Sequence, residues 1–409
     1  MKLARTVKSL AVWLILGALA LGCAACTRAP YGTDLMLGFT PAKRESGELD
    51  PESRKSAVGF ALDLIGAAHT GNENTLVAPL SVLSALAMTA NGARGNTLDE
   101  MEAVFGMSIE ELNEYFRLYP EASGQLNSAN AIWFRDSGGF DVNREFLQLN
   151  ADNYGAGLYK SAFDDSTCDE INRWVKDHTH GMIPEFLNAI DPDTLLFIVN
   201  AVAFDAKWEA PYTREQFRED EFTLENGVSR KVDFMFSEES VYLECGNATG
   251  FIKPYKGGRY AFAALLPDKG VSIEELLRSL DADTLSSMLE DPKKGVEVNT
   301  SIPKFEIEFG CELKDALTAM GMKDAFGSSA DFSGIYPGLF IGSVTHTAKI
   351  LVDEHGTKAS AATGIQMPTE AAPIAEPYEV YLDRPFVYML IDCETNLPFF
   401  IGTLMDVGE

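Results

Sequence analysis

The 409-residue sequence predicts an α+β domain built around large mixed sheets, and three observations carry that prediction. First, 46% of residues are hydrophobic and 23% charged, with 25 Phe and 13 Tyr. That is enough apolar mass for a substantial core and far too aromatic for a solvated chain. Second, helical and strand-like runs both occur but do not alternate regularly, which disfavours a doubly wound or barrel fold. Third, no further linker, repeat or low-complexity tract of convincing length follows Pro51, so the rest of the chain reads as one body.

Helical periodicity is found in Ser56–Ala68, in Pro79–Asn91 after a proline start, and in Asp169–Thr179, Ile273–Leu280 and Cys311–Met320. Strand-like runs are Leu195–Phe204, Tyr260–Leu266 (closed by Pro267-Asp268), Gly295–Ile302 and Ala348–Asp353. The last two, Phe386–Ile391 and Phe399–Leu404, are joined by Glu394-Thr395-Asn396 as a hairpin.

The N-terminus has a separate purpose. Lys2, Arg5 and Lys8 precede an uncharged apolar stretch from Leu10 to Gly22, too short to span a bilayer and right for a signal-peptide core. It ends Leu19-Ala20-Leu21-Gly22-Cys23, which resembles a bacterial lipobox, with Ala20 departing from the usual leucine. The resemblance implies a signal peptide over 1–22 and lipidation of Cys23, with Cys26 as the alternative acceptor. Residues 23–52 are polar, punctuated by Gly and Pro, and read as a tether with a reach of roughly 30 Å. The expected location is outside the cell, lipid-anchored to the outer face of a bacterial membrane or released.

The remaining composition mostly excludes. Lys plus Arg number 33 against 61 Asp plus Glu, a net charge of −28, which would repel a phosphate backbone. Nucleic acid is therefore no expected partner. With Cys23 lipidated, Cys26, Cys168, Cys245, Cys311 and Cys393 remain, an odd and scattered set that reads as free, mostly buried thiols. No GxSxG, HExxH or GxxxxGK[ST] motif occurs, and His178-x-His180 has poor metal geometry on a helix. Nothing supports an enzyme, and no cofactor or metal is implied.

The informative segment runs from Asp353 to Pro385. It carries no aromatic before Tyr378 and little to anchor it in a core, so it reads as a long exposed loop of functional use. Its first part alternates. Thr357, Ala359, Ala361, Thr363 and Ile365 would share one face if it became a strand, with Lys358, Ser360, Ala362, Gly364 and Gln366 on the other. Taken alone, the segment reads more readily as a flexible Ala/Thr/Gly linker.

The surrounding sequence decides between the two. The segment resembles the reactive-loop hinge of inhibitory serpins, and the resemblance extends over nearly all of Pro51–Val407. Asn74–Ser81 looks like the start of that family's shutter helix, with Ala78 in place of a common serine. Leu196–Ala201 followed by Lys207-Trp208 looks like the strand running past the shutter into the breach. Pro254-Tyr255, Leu265-Leu266-Pro267, Ile302–Phe305, Ala330–Ile335, His346, Arg384-Pro385-Phe386 and Phe400-Ile401-Gly402 follow in family order.

The resemblance implies a serpin domain over 53–409, with three mixed sheets, eight or nine helices and a reactive loop at about 354–384. It implies a monomer that acts as a suicide inhibitor of serine proteases. The protease would attack the loop and form an acyl-enzyme, and the freed hinge would then insert as a strand in the central sheet. Hinge residues would be Glu354, Gly356, Thr357, Ala359, Ala361 and Ala362, and shutter or breach residues Ser81, Asn200, Trp208 and His346. Counting from Glu354 puts the scissile bond at Glu370–Ala371, whereas counting back from Pro385 gives Ile374. Glu370 would suit a glutamate-preferring protease. Thr369, Ala371 and Ala372 favour an elastase-like or subtilisin-like target. The competing readings are a non-inhibitory serpin and a ligand-binding or adhesion lipoprotein at the cell surface.

Overall fold

The structure is a computed structural model that describes residues 31–43, 47–119, 124–136, 138–191, 194–357 and 376–408. The chain divides after Tyr31, and the compact unit spans Gly32–Glu409. In chain order its elements begin with β1 (Thr33–Asp34), α1 (Pro51–Ala68), β2 (Thr75–Val77), α2 (Pro79–Ala90), α3 (Gly95–Phe105), α4 (Ile109–Leu118) and β3 (Leu126–Arg135). There follow α5 (Arg144–Tyr154), β4 (Gly157–Ser161), α6 (Asp165–His178), β5 (Leu196–Phe204), β6 (Ala206–Lys207), β7 (Phe217–Thr223), β8 (Ser229–Cys245), β9 (Ala248–Pro254) and β10 (Tyr260–Pro267). Then come α7 (Ile273–Ser279), α8 (Ala282–Glu290), β11 (Lys293–Pro303), β12 (Phe305–Glu312), α9 (Lys314–Met320) and β13 (Ser343–Asp353). The chain closes with β14 (Gly356–Thr357), β15 (Tyr378–Tyr381), β16 (Phe386–Asp392) and β17 (Leu397–Leu404).

Two sheets organise the core among the described residues. The first has the order β1-β4-β3-β5-β13-β14-β6, with β12 paired to the other side of β13. The second runs β15-β11-β8-β9-β10-β16-β17-β2, with β7 on β8. Three sheets were expected. The 17-residue β8 runs without a break from its pairing with β11 into its pairing with β9, and so joins two of them through hydrogen bonds. Strands β5, β10, β16 and β17 are buried at every position, which matches their almost continuous apolar sequences. Nine α-helices pack around the sheets among the described residues.

Helix starts follow their caps. The Asp50 carboxylate accepts from the Ser53 N–H at 2.9 Å and Pro51 occupies the first turn, so α1 begins five residues before the periodic stretch. Ser108 and Glu111 form a capping box on α4, as Ser272 and Glu275 do on α7. The expected helix over Cys311–Met320 begins only at Lys314. Cys311 and Glu312 belong to β12, whose ladder to β13 pairs Cys311 with His346. Tertiary pairing overrides the helical period there.

Two further expectations need correction. Part of the expected tether is folded onto the body. Thr33 and Asp34 pair antiparallel with Lys160 and Tyr159, and the Leu35 N–H donates to Leu158 O at 2.9 Å. Phe39 lies under the Arg144 guanidinium at 5.1 Å, and the Ala42 N–H donates to the Asp152 carboxylate at 2.8 Å. An open sheet edge and two apolar side chains, Met36 and Phe39, outcompete solvent for this segment. The cysteines also differ: of the described ones only Cys245 is buried, Cys168 and Cys311 are half-buried, and Cys393 is exposed. Cys23 and Cys26 lie outside the described residues.

Candidate functional site: a closed sheet with a seated short strand

Strand register assembles the first cluster. Asn130 on β3 is opposite Asn200 on β5, and Asn200 is opposite His346 on β13. Residues directly opposite across a ladder share a face, so three polar side chains form one transverse row. The Asn200 amide donates to Asn130 Oδ1 at 2.6 Å and to Ser81 Oγ at 2.7 Å. Ser81, on the first turn of α2, donates to Asn130 Oδ1 at 3.0 Å and lies 2.9 Å from Ser128 Oγ. His346 joins Asn200 Oδ1 through Nδ1.

The Ala78 N–H donates to His346 Nε2 at 3.2 Å. A backbone donor needs a lone pair, so Nε2 is unprotonated and the ring is the neutral Nδ1–H tautomer. Full burial pushes the His346 pKa down to about 3, which agrees. Ser81 and His346, both marked by the resemblance, are thus joined through Asn200. Ser128 and Asn130 were missed, although β3 carries them in an alternating pattern with buried apolar neighbours.

On both sides of this row β5 and β13 are directly paired in parallel, Phe197–Ala203 against Ser343–Lys349. Their pairing ends at Ala203 and Lys349, and β14 fills the notch beyond. Gly356 and Thr357 pair with Asp353 and Val352 of β13 on one side and with Lys207 and Ala206 of β6 on the other. Only glycine fits at 356. Its φ is 153°, and a Cβ there would lie 2.0 Å from Ala206 O. Thr357 is fully buried, and its hydroxyl lies 2.6 Å from the Tyr255 hydroxyl.

The turn before β14 is held by the β6 side of the notch. The Trp208 indole N–H donates to Asp353 O at 2.8 Å and its backbone N–H to His355 O at 3.0 Å. The Tyr212 N–H donates to Glu354 O at 3.0 Å. Trp208 stacks on Tyr255 at 4.5 Å and 7°. Glu354 reaches Lys304 at 2.8 Å, and that hydrogen-bonded ammonium holds its carboxyl below the usual range. Both groups are about 30% exposed, so the pair adds little stability. Across the gap in the described chain, β15 runs parallel to β11, with Val380 opposite Thr300. Ala359, Ala361, Ala362, Thr369, Glu370, Ala371, Ala372 and Ile374 lie outside the described residues.

A central sheet with β5 paired directly to β13, and the two-residue β14 seated between β13 and β6, agree with the comparisons. A sequence model described as Serpin (serine protease inhibitor) matches residues 55–407. An uncharacterized serpin-like protein of Thermococcus kodakarensis is 32% identical over 363 residues, 85% of this chain and 84% of that one. The leukocyte elastase inhibitor of Sus scrofa is 30% identical over 370 residues, 84% of this chain and 97% of its own. The crystal structure of a thermophilic serpin, Tengpin, in its native state matches with a TM-score of 0.86 and 40% identity, covering 91% of this chain and 99% of that one. In its latent state the same protein matches at 0.77, with 38% identity and 89% and 100% coverage. By sequence model, relatives and architecture, this chain belongs to the serpin family.

Proposed function

We propose that this protein is a suicide inhibitor of serine proteases, with 354–384 as bait and the β5–β13 seam as the place of insertion. One observation carries the reading: Gly356 and Thr357 already occupy the head of that seam, between β13 and β6. Thr357 faces inward, the phase in which the small odd-numbered residues Ala359 and Ala361 would follow it into the sheet. Widening the seam would break the His346–Asn200 contact and the β5–β13 ladder. A cleaved hinge would replace those backbone bonds on both of its edges and add new ones, which favours insertion after cleavage.

The bait bond is Glu370–Ala371, with Thr369, Ala372 and Ile374 as neighbouring alternatives, and the target is elastase-like or subtilisin-like. The name of the Sus scrofa relative supports the first of these classes. The protein acts as a monomer, exported and held on the outer face of a bacterial membrane by lipid on Cys23, or on Cys26, with the signal over 1–22 removed.

The test is incubation of the signal-less protein with neutrophil-type elastase, subtilisin and a glutamyl endopeptidase. Denaturing electrophoresis reads the outcome, with mass spectrometry of the released C-terminal peptide. A complex that survives denaturation is expected, with the peptide starting at Ala371. Clean cleavage by all three enzymes without a complex would leave a non-inhibitory serpin or a ligand-binding surface lipoprotein.

A further inference from the structure

Among the described residues, one ion pair is almost fully withdrawn from water. Lys253 Nζ lies 2.7 Å from Glu239 Oε1, with side chains only 3% and 9% exposed. Removing both charges from solvent is costly unless the surroundings complete their bonding. Here they do. The ammonium sits 4.4 Å from the centre of the Tyr212 ring and 5.5 Å from that of Trp208, and the same carboxylate oxygen accepts from Ser237 Oγ at 2.7 Å.

The place matters more than the pair. Strand β8 pairs with β9 only over Tyr242–Cys245, while its other edge pairs with β11 over Phe234–Tyr242, so Glu239 and Lys253 bridge β8 and β9 just outside their ladder. On the lysine side stand Trp208 and Tyr212, which hold the carbonyls of Asp353, Glu354 and His355 at the start of the hinge. On the glutamate side stands Ser237, 3.1 Å from Thr300 Oγ1, whose backbone carries β15 and the far end of the loop. Ser237 Oγ also lies 3.3 Å from the Tyr212 hydroxyl and closes the circuit. One buried salt bridge thus connects both feet of the loop.

We propose that Lys253 and Glu239 form a latch between the two feet, a pair of positioning residues that sets how readily the hinge leaves its seat and enters the sheet. The pair acts through Trp208 and Tyr212 and need not touch a protease. The proposal deepens the inhibitory reading and rests on it for its consequence, though not for its geometry.

The test compares Lys253→Met with Lys253→Met/Glu239→Leu in the signal-less protein. The single variant strands a buried carboxylate and is expected to lower overall stability, whereas the double variant is apolar and is expected to recover it. A role confined to stability would restore everything together. The latch predicts instead that the Trp208 and Tyr212 amides of the double variant still exchange with deuterium at least about tenfold faster than in the parent. Amides of β10 and β16 should stay within about twofold. After the loop is nicked by a bystander protease, heat resistance should also rise faster in the double variant. Parental exchange at Trp208 and Tyr212 in a stable double variant would overturn the latch. Failure of the nicked parent to gain heat resistance would sink the inhibitory reading instead, and the exchange data would still decide on the latch.

Discussion

The Ala78 backbone N–H points at His346 Nε2, 3.2 Å away, so the helix start at Pro79 and the central strand β13 share one proton arrangement. That contact admits only the neutral ring, whose pKa burial pushes down to about 3 from an ordinary 6.5. Above pH 6.5 the group leaves stability unchanged. Below it the unfolded chain binds a proton that the folded one refuses. Stability should therefore fall as pH drops from 6.5 towards 3, by at most about 1.4 kcal/mol per unit. His346→Gln keeps a donor and an acceptor but cannot titrate. Urea midpoints between pH 7.5 and 4.5 should fall less steeply for it by about one proton, and parallel slopes would contradict the neutral-ring assignment. Some slope will remain from His69, whose pKa burial also lowers.

Gly356→Ala should unseat the hinge. The backbone conformation alone costs a side chain about 1–3 kcal/mol. The added Cβ would also meet Ala206 O at 2.0 Å, backbone that has nowhere to move. The expected outcome is fast amide exchange at Gly356 and Thr357 and a lowered unfolding midpoint. Parental protection at both would mean that the seat tolerates a side chain.

Thr357→Val conserves shape and removes the partner of the Tyr255 hydroxyl, which is fully buried against Trp208. Leaving a buried hydroxyl unsatisfied costs about 1–3 kcal/mol. The loss should appear in denaturant unfolding together with a shift in Trp208 emission. Thr357→Ser, which keeps the hydroxyl, should recover most of it.

Ala361→Arg addresses the insertion step. An arginine on the inward face would have to enter the sheet unpaired, at a cost of several kcal/mol. Each 1.4 kcal/mol shifts the competition between insertion and deacylation about tenfold. The variant should be cleaved as a substrate, with its denaturation-stable complex reduced at least about tenfold. Full trapping by Ala361→Arg would refute the hinge-insertion account.

The sequence by itself determined the apolar strands, the hairpin at Glu394–Asn396, the hinge alternation and the family order of short motifs. These are local patterns, readable because strand period and turn chemistry act over a few residues. It also marked Ser81, Asn200, Trp208 and His346, through the resemblance and not through their chemistry. Only the tertiary structure decided what those residues touch. Asn130 and Asn200 are 70 residues apart, and Asn200 and His346 are 146 apart. Their meeting depends on the register of three strands, which no local period encodes. Cys311 left a helical pattern for the β13 ladder, and within a polar, tether-like stretch Thr33 and Asp34 joined an open sheet edge while Ala42 bonded Asp152 on α5. Lys253 and Glu239 look in sequence like any two surface charges. They are buried only because the fold brings them together just outside the β8–β9 ladder, where two aromatic rings flank the ammonium.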